Sequence, residues 1–193
     1  MDVAEKVKFA CIQPEDGTLC DAVFAPFVIV QRSGKALLEG HLVKTNPLYE
    51  LLRQESLQCR LIFQAADGYV SPSIYPEKEK SGKVVPTWNY VAAQFSGKLS
   101  IVPDQELLAL LENQVDQFEH SQESDWRLSD APSDYSEQQS QAVFGRCFEP
   151  ARTRTHYKLS QNRPSDKTGV IAWTKTLNTP HKSLAYWMGI PDE

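Results

Sequence analysis

Hydrophobic positions along the chain mostly alternate with polar ones, and a helical period shows clearly only in the middle. Residues 21–30 read as a strand made irregular by Pro26, Arg32-Ser33-Gly34-Lys35 as a turn, and Ala36 to Val43 as the returning strand of a hairpin. Asn46-Pro47 marks a helix start, with Leu48, Leu51 and Leu52 as its apolar face. Residues 58–64 predict another strand, Ala66-Asp67-Gly68 a turn, and Tyr69 to Ile74 a strand pairing back. Pro76 to Val85 reads as a polar, mobile loop carrying Lys78, Lys80 and Lys83. Thr87 to Val102 is the longest extended run, with Gly97 placed for a bulge or a close backbone approach.

Leu107, Leu108, Leu111, Val115 and Phe118 then recur at helical spacing opposite Glu106, Glu112, Asp116 and Glu119. A polar connection over 120–134 leads to a helix capped by Ser133. Gly145 to Glu149 and Thr153 to Leu159 read as a final pair of strands, followed by a short helix near Thr168 to Lys175. About six or seven strands with two or three helices predict a mainly β fold, a Greek-key-like antiparallel barrel with peripheral helices, because closure removes exposed sheet edges. Residues 1–177 are expected to form one domain, and 178–193, with Tyr186, Trp187 and Met188, a tail docked on its own or a partner subunit.

Composition narrows the function. Hydrophobic residues make up 41% and charged residues 23% of 193, as in ordinary folded domains. The start, Met1-Asp2-Val3-Ala4-Glu5-Lys6, shows no apolar leader, and no run reaches the roughly 20 apolar residues of a membrane span, so a cytoplasmic location is expected. Cys11, Cys20, Cys59 and Cys147 form no C-x-x-C pair and the four histidines no ligand spacing, so no metal site is expected. The net charge of −5 argues against general nucleic-acid binding. The segment from Asp104 to Glu137 is acidic. Arg146 to Lys167 is basic and fits either an anion site or an exposed strand pair.

Chemistry-bearing motifs are mostly absent. The chain holds no G-x-G-x-x-G, no G-x-x-x-x-G-K-[ST] and no G-x-S-x-G, so redox chemistry here would need a cofactor. What remains is a pair of aromatic, hydroxyl-rich segments broken by proline, Gly68-Tyr69-Val70-Ser71-Pro72-Ser73-Ile74-Tyr75-Pro76 and Lys83-Val84-Val85-Pro86-Thr87-Trp88-Asn89-Tyr90. Flat faces, hydroxyl donors and stiff backbone suit a planar, phosphorylated ligand.

Those two segments, with Gly40-His41-Leu42-Val43-Lys44-Thr45-Asn46-Pro47 and Lys158-Leu159-Ser160-Gln161-Asn162-Arg163-Pro164, resemble the PaiB-type proteins, described as FMN-binding negative transcriptional regulators. The resemblance runs from about residue 20 to about residue 172. It implies a bacterial FMN-binding split β-barrel related to pyridoxamine-phosphate oxidases, working as a homodimer with flavin at the subunit interface. DNA contact, direct or through another protein, stays open. So do two alternatives: a flavin-dependent oxidoreductase of the pyridoxamine-phosphate-oxidase-like group, and a barrel that has lost its cofactor. The resemblance points to His41, Lys44, Asn46, Ser71, Ser73, Tyr75, Thr87, Trp88, Asn89, Gln161, Asn162 and Arg163 as cofactor-binding candidates. It departs at Phe24, where the family commonly has histidine, and at Ile74, where it has tryptophan.

Overall fold

The computed structural model of the chain describes residues 1–15, 17, 22–162, 167–176 and 181–189, the last segment with side chains from 184 onward. Seven strands, β1 (Phe9–Pro14), β2 (Val23–Pro26), β3 (Val28–Arg32), β4 (Lys35–Val43), β5 (Leu57–Val70), β6 (Thr87–Ile101) and β7 (Val143–Lys158), form one sheet in the order β2-β1-β5-β6-β7-β4-β3. The helices are α1 (Asp2–Val7), α2 (Leu48–Gln54), α3 (Glu77–Ser81), α4 (Asp104–His120), α5 (Ser133–Gln141), α6 (Lys167–Thr176) and α7 (His181–Met188). The chain divides into two compact units, Met1–Phe63 with Gln94–Thr153, and Gln64–Ala93 with Arg154–Glu193.

In the first unit these strand pairs are antiparallel: β1 with β2 (Cys11 opposite Phe24), β1 with β5 (Cys11 opposite Ile62), β3 with β4 and β4 with β7 (Leu38 opposite Phe148). The outermost strands, β2 and β3, are separated in sequence by Phe27 alone. A seven-strand sheet whose two edges are joined through one residue must roll up, which brings Pro26 of β2 against Gly40 of β4. Alternation then sends one face of each strand inward. Ile12, Leu38, Leu61, Phe63, Phe95, Leu99, Phe144 and Phe148 are buried, with Phe63 set edge-on to Phe95 at 5.6 Å and to Phe27 at 6.2 Å. Each such ring contributes about 1.5–3 kcal/mol through burial. In the second unit α6 packs on α7, and Val70, Tyr75, Val91, Leu159, Val170, Leu184 and Met188 are buried.

The hairpin over Arg32–Lys35 forms as expected, with Ser33 at φ 51° and Gly34 at φ 76°, the mirror-image turn that matches strand twist. Asn46 caps α2 by accepting from the Leu48 amide at 3.0 Å. Gly97 permits a close approach: a Cβ there would stand 2.2 Å from the Glu149 carbonyl oxygen.

Five local expectations are corrected. β5 runs unbroken through Ala66-Asp67-Gly68, where Asp67 accepts from the Gln64 and Trp88 side chains. β7 likewise runs on through Pro150. The lysine-rich loop contains α3, which starts after Pro76 and stops at Gly82, whose φ is 67°. Helix α4 buries Leu107, Leu110 and Gln114 and leaves Leu108 exposed, a face turned from the expected one because Gln114 finds a polar partner inside. Ser133 is the first residue of α5 and makes no side-chain cap.

Candidate functional site

β6 begins, and β7 ends, at a cleft of about 220 Å³ in the second unit. It is lined by Tyr75, Val85, Pro86, Thr87, Asn89, Lys158, Ser160, Gln161 and Asn162. Five of the expected residues, Tyr75, Thr87, Asn89, Gln161 and Asn162, therefore meet there. Among the described residues the lining contains one cation, several amides and hydroxyls, and no carboxylate, a donor set suited to an anion.

Its members differ in how free they are. Tyr75 is buried behind the wall. Asn89 is wholly buried, and its Nδ2 donates to Ser160 Oγ at 3.0 Å. Gln161 folds back onto the backbone: its Oε1 accepts from the Leu159 amide at 2.8 Å, and its Nε2 donates to the Tyr157 carbonyl at 2.6 Å. Lys158 and Asn162 are exposed on the rim, beside half-buried Thr87. Lys158, Ser160, Val85 and Pro86 were not among the expected residues. Lys158 stands in the quoted Lys158–Pro164 motif, at the end of a strand and just before Ser160-Gln161-Asn162, which is the signal that would have found it.

The remaining candidates lie elsewhere. Ser71 Oγ accepts from the Ser73 amide at 3.2 Å and pairs with Ser73 Oγ at 2.8 Å, closing the short 3-10 turn Pro72–Ile74. Trp88 is half exposed, donates from Nε1 to Asp67 Oδ2 at 3.0 Å and sits edge-on to Tyr69. His41, Lys44 and Asn46 belong to the first unit. There His41 Nδ1 lies 2.6 Å from Gln114 Oε1, Lys44 Nζ sits 6.0 Å from the Tyr49 ring centre, and Asn46 is the cap of α2. Burial, reinforced by the charge of Arg146, holds the His41 imidazole below its ordinary value, against the pull of the Gln114 hydrogen bond. Arg163 lies outside the described residues.

Phe24, the departure from the family pattern, is exposed in the first unit and stacks on Phe9 with ring centres 6.2 Å apart. A larger hollow of about 500 Å³ at the C-terminal end of α4 is lined by Asp116, Glu119 and Asp125 beside His120, Trp126 and Arg127. Its three carboxylates would repel a phosphate, so the smaller cleft is the better anion site.

A rolled antiparallel sheet of this order with peripheral helices is a split β-barrel, the fold class of small flavin-binding proteins. The chain belongs to the FMN-binding domain family: a family model described as "Putative FMN-binding domain" matches residues 1–150. FMN is accordingly its cofactor. An uncharacterized protein of Emericella nidulans is 34% identical over 170 residues, covering 74% of this chain and 68% of its own. Protease synthase and sporulation protein PAI 2 of Bacillus subtilis is 25% identical over 169 residues, covering 86% of this chain and 79% of its own. The structure of the FAD and heme binding protein from Mycobacterium smegmatis superposes with a TM-score of 0.55 at 16% identity, over 81% of this chain and 68% of that one, and shares the fold. Among the described residues no helix is long and apolar enough to cross a membrane.

Proposed function

We propose that the chain is an FMN-binding protein of the PaiB type that acts as a homodimer, with the cleft beside Lys158 as one wall of a flavin site completed at the subunit interface. The size of the cleft carries this reading. At about 220 Å³ it falls short of the roughly 300–1,000 Å³ of sites that enclose a small molecule, so it accommodates part of the cofactor and needs a second wall. The chemistry of the lining supports FMN in particular, since among the described residues an ammonium stands with amides and hydroxyls and without a carboxylate, which fits a phosphomonoester on a polar tail. Lys158, Thr87 and Asn162 would hold that end. When bound, FMN supplies one- and two-electron transfer. The chain's own part is to bind, orient and shield it.

In this reading residues 1–177 act as one split-barrel domain and 178–193 as its docked tail. A regulator's role, with DNA reached through a dimer surface or a second protein, follows from the likeness to the PaiB type. Turnover of a reduced nicotinamide by the flavin-loaded protein would instead favour the oxidoreductase alternative. Two measurements decide the binding claim. Light scattering of the purified protein should give twice the 21.8 kDa chain mass, and FMN titration should show saturable quenching of flavin fluorescence that Lys158→Ala weakens about tenfold, the loss of one charge-assisted contact. A monomer that takes up no flavin at tens of micromolar (about that range suffices for a cofactor site) would end this reading.

A further inference from the structure

The end of β7 is held by a buried polar pair. Asn89 and Ser160 bond reciprocally, Nδ2 to Oγ at 3.0 Å and Oγ to Oδ1 at 3.2 Å, and both residues are buried. Ser160 carries a left-handed backbone, φ 60°. A non-glycine residue costs about 1–2 kcal/mol there, and glycine or asparagine would be the low-strain choice. The hydroxyl offsets that cost through its bonds to Asn89, which count for more away from water. The next residue is committed to the same turn. Gln161 ties the Leu159 amide to the Tyr157 carbonyl through its two side-chain ends. With Asn89, Ser160 and Gln161 all bonded within the protein, Lys158, Asn162 and Thr87 are the described polar residues left to face an incoming ligand at the cleft.

We propose that Asn89 and Ser160 are positioning residues for a phosphate group: by fixing the left-handed exit of β7 they set Lys158 and Asn162 on the cleft, and so make the site prefer phosphorylated over unphosphorylated flavin. This rests on the flavin reading above and narrows it. The cleft is assigned to the phosphate end of the cofactor, and Asn89 and Gln161 become supports of the wall and cease to be cofactor contacts.

The test compares FMN with riboflavin by fluorescence titration on the full chain, with thermal melting alongside. Two variants are needed. Ser160→Ala removes the hydroxyl. Ser160→Gly removes it while relieving the backbone, and the melts report that each variant is folded. Wild type should bind FMN more tightly than riboflavin. In both variants the ratio of the two affinities should fall about tenfold, as expected for a misplaced charge-assisted contact, with riboflavin affinity unchanged within about twofold. A ratio that stays at the wild-type value overturns the proposal, as does a parallel loss of both affinities, which would mark a general structural role. Wild type binding both flavins equally overturns it too, while leaving flavin binding intact. Wild type binding neither flavin fails the flavin reading itself and takes this inference with it.

Discussion

Arg146 is the largest fully buried side chain of the molecule's described residues, and it faces carbonyls where a carboxylate would be usual. Its Nη2 donates to the Pro26 carbonyl at 2.8 Å, its Nη1 to the His41 carbonyl, and its Cζ lies 4.2 Å from the centre of the Phe27 ring. Burial pushes the guanidinium down to about 9, so it remains charged at pH 7. These contacts fall where the rolled sheet brings β2 to β4, and they satisfy carbonyls that no strand partner reaches. Arg146→Met should therefore destabilise the protein by about 3 kcal/mol, the cost of two charge-assisted bonds less the relief of a buried charge, read as a shifted denaturation midpoint. Gly40 beneath it has no room to grow, since a Cβ would stand 2.5 Å from the Pro26 oxygen. Gly40→Ala should cost about 2 kcal/mol in the same assay.

His41, whose carbonyl takes one of those bonds, makes stability depend on pH. Its folded value lies below the ordinary 6.5, chiefly through burial. The unfolded chain therefore binds more protons in that window, and stability is lost as pH falls through 6.5 toward the folded value. His41→Gln should flatten the decline of Tm on the acid side; an unchanged slope would remove His41 as its cause.

At the scale of elements, the Arg32–Lys35 turn offers the simplest check, because both central residues have positive φ. Gly34→Ala should cost about 1 kcal/mol, and Ser33→Asn should gain a few tenths (about 0.3 kcal/mol), measured by chemical denaturation. This turn, the cap at Asn46 and the full length of β6 were legible in the sequence, since each rests on local rules. Other elements were misread for physical reasons. Asp67-Gly68 and Pro150 look like turn punctuation, yet β5 and β7 are long strands that run through them, stabilised by partners far off in the chain: Trp88 for Asp67, and Gly97 opposite Glu149. The buried face of α4 depends on Gln114 meeting His41, 73 residues away, which no periodicity reveals. Helix α3 was readable from its bounding Pro76 and Gly82, and the lysines between them masked it. In the cleft, the motifs located the segments. The division between exposed contacts and inward-turned supports required backbone angles, that of Ser160 above all.

For the whole molecule, cofactor and assembly are predicted to be coupled. If the second wall of the flavin site comes from the partner, FMN binds only the paired state, and linkage then makes Tm rise with FMN: about 2.7 kcal/mol of added stability at a hundredfold excess over Kd. The same titration should shift the monomer–dimer balance toward dimer at low protein concentration, followed by sedimentation. A flavin-independent mass would separate the two properties.

The passage from β2 to β3 through Phe27 has a consequence for engineering. Because the two border strands are consecutive, the seam is laced by the peptide itself, and Arg146 takes up the Pro26 and His41 carbonyls there. Circular permutants opened at the Ser33–Gly34 loop would keep that lacing, whereas permutants opened at Phe27 would unlace it and should precipitate on expression.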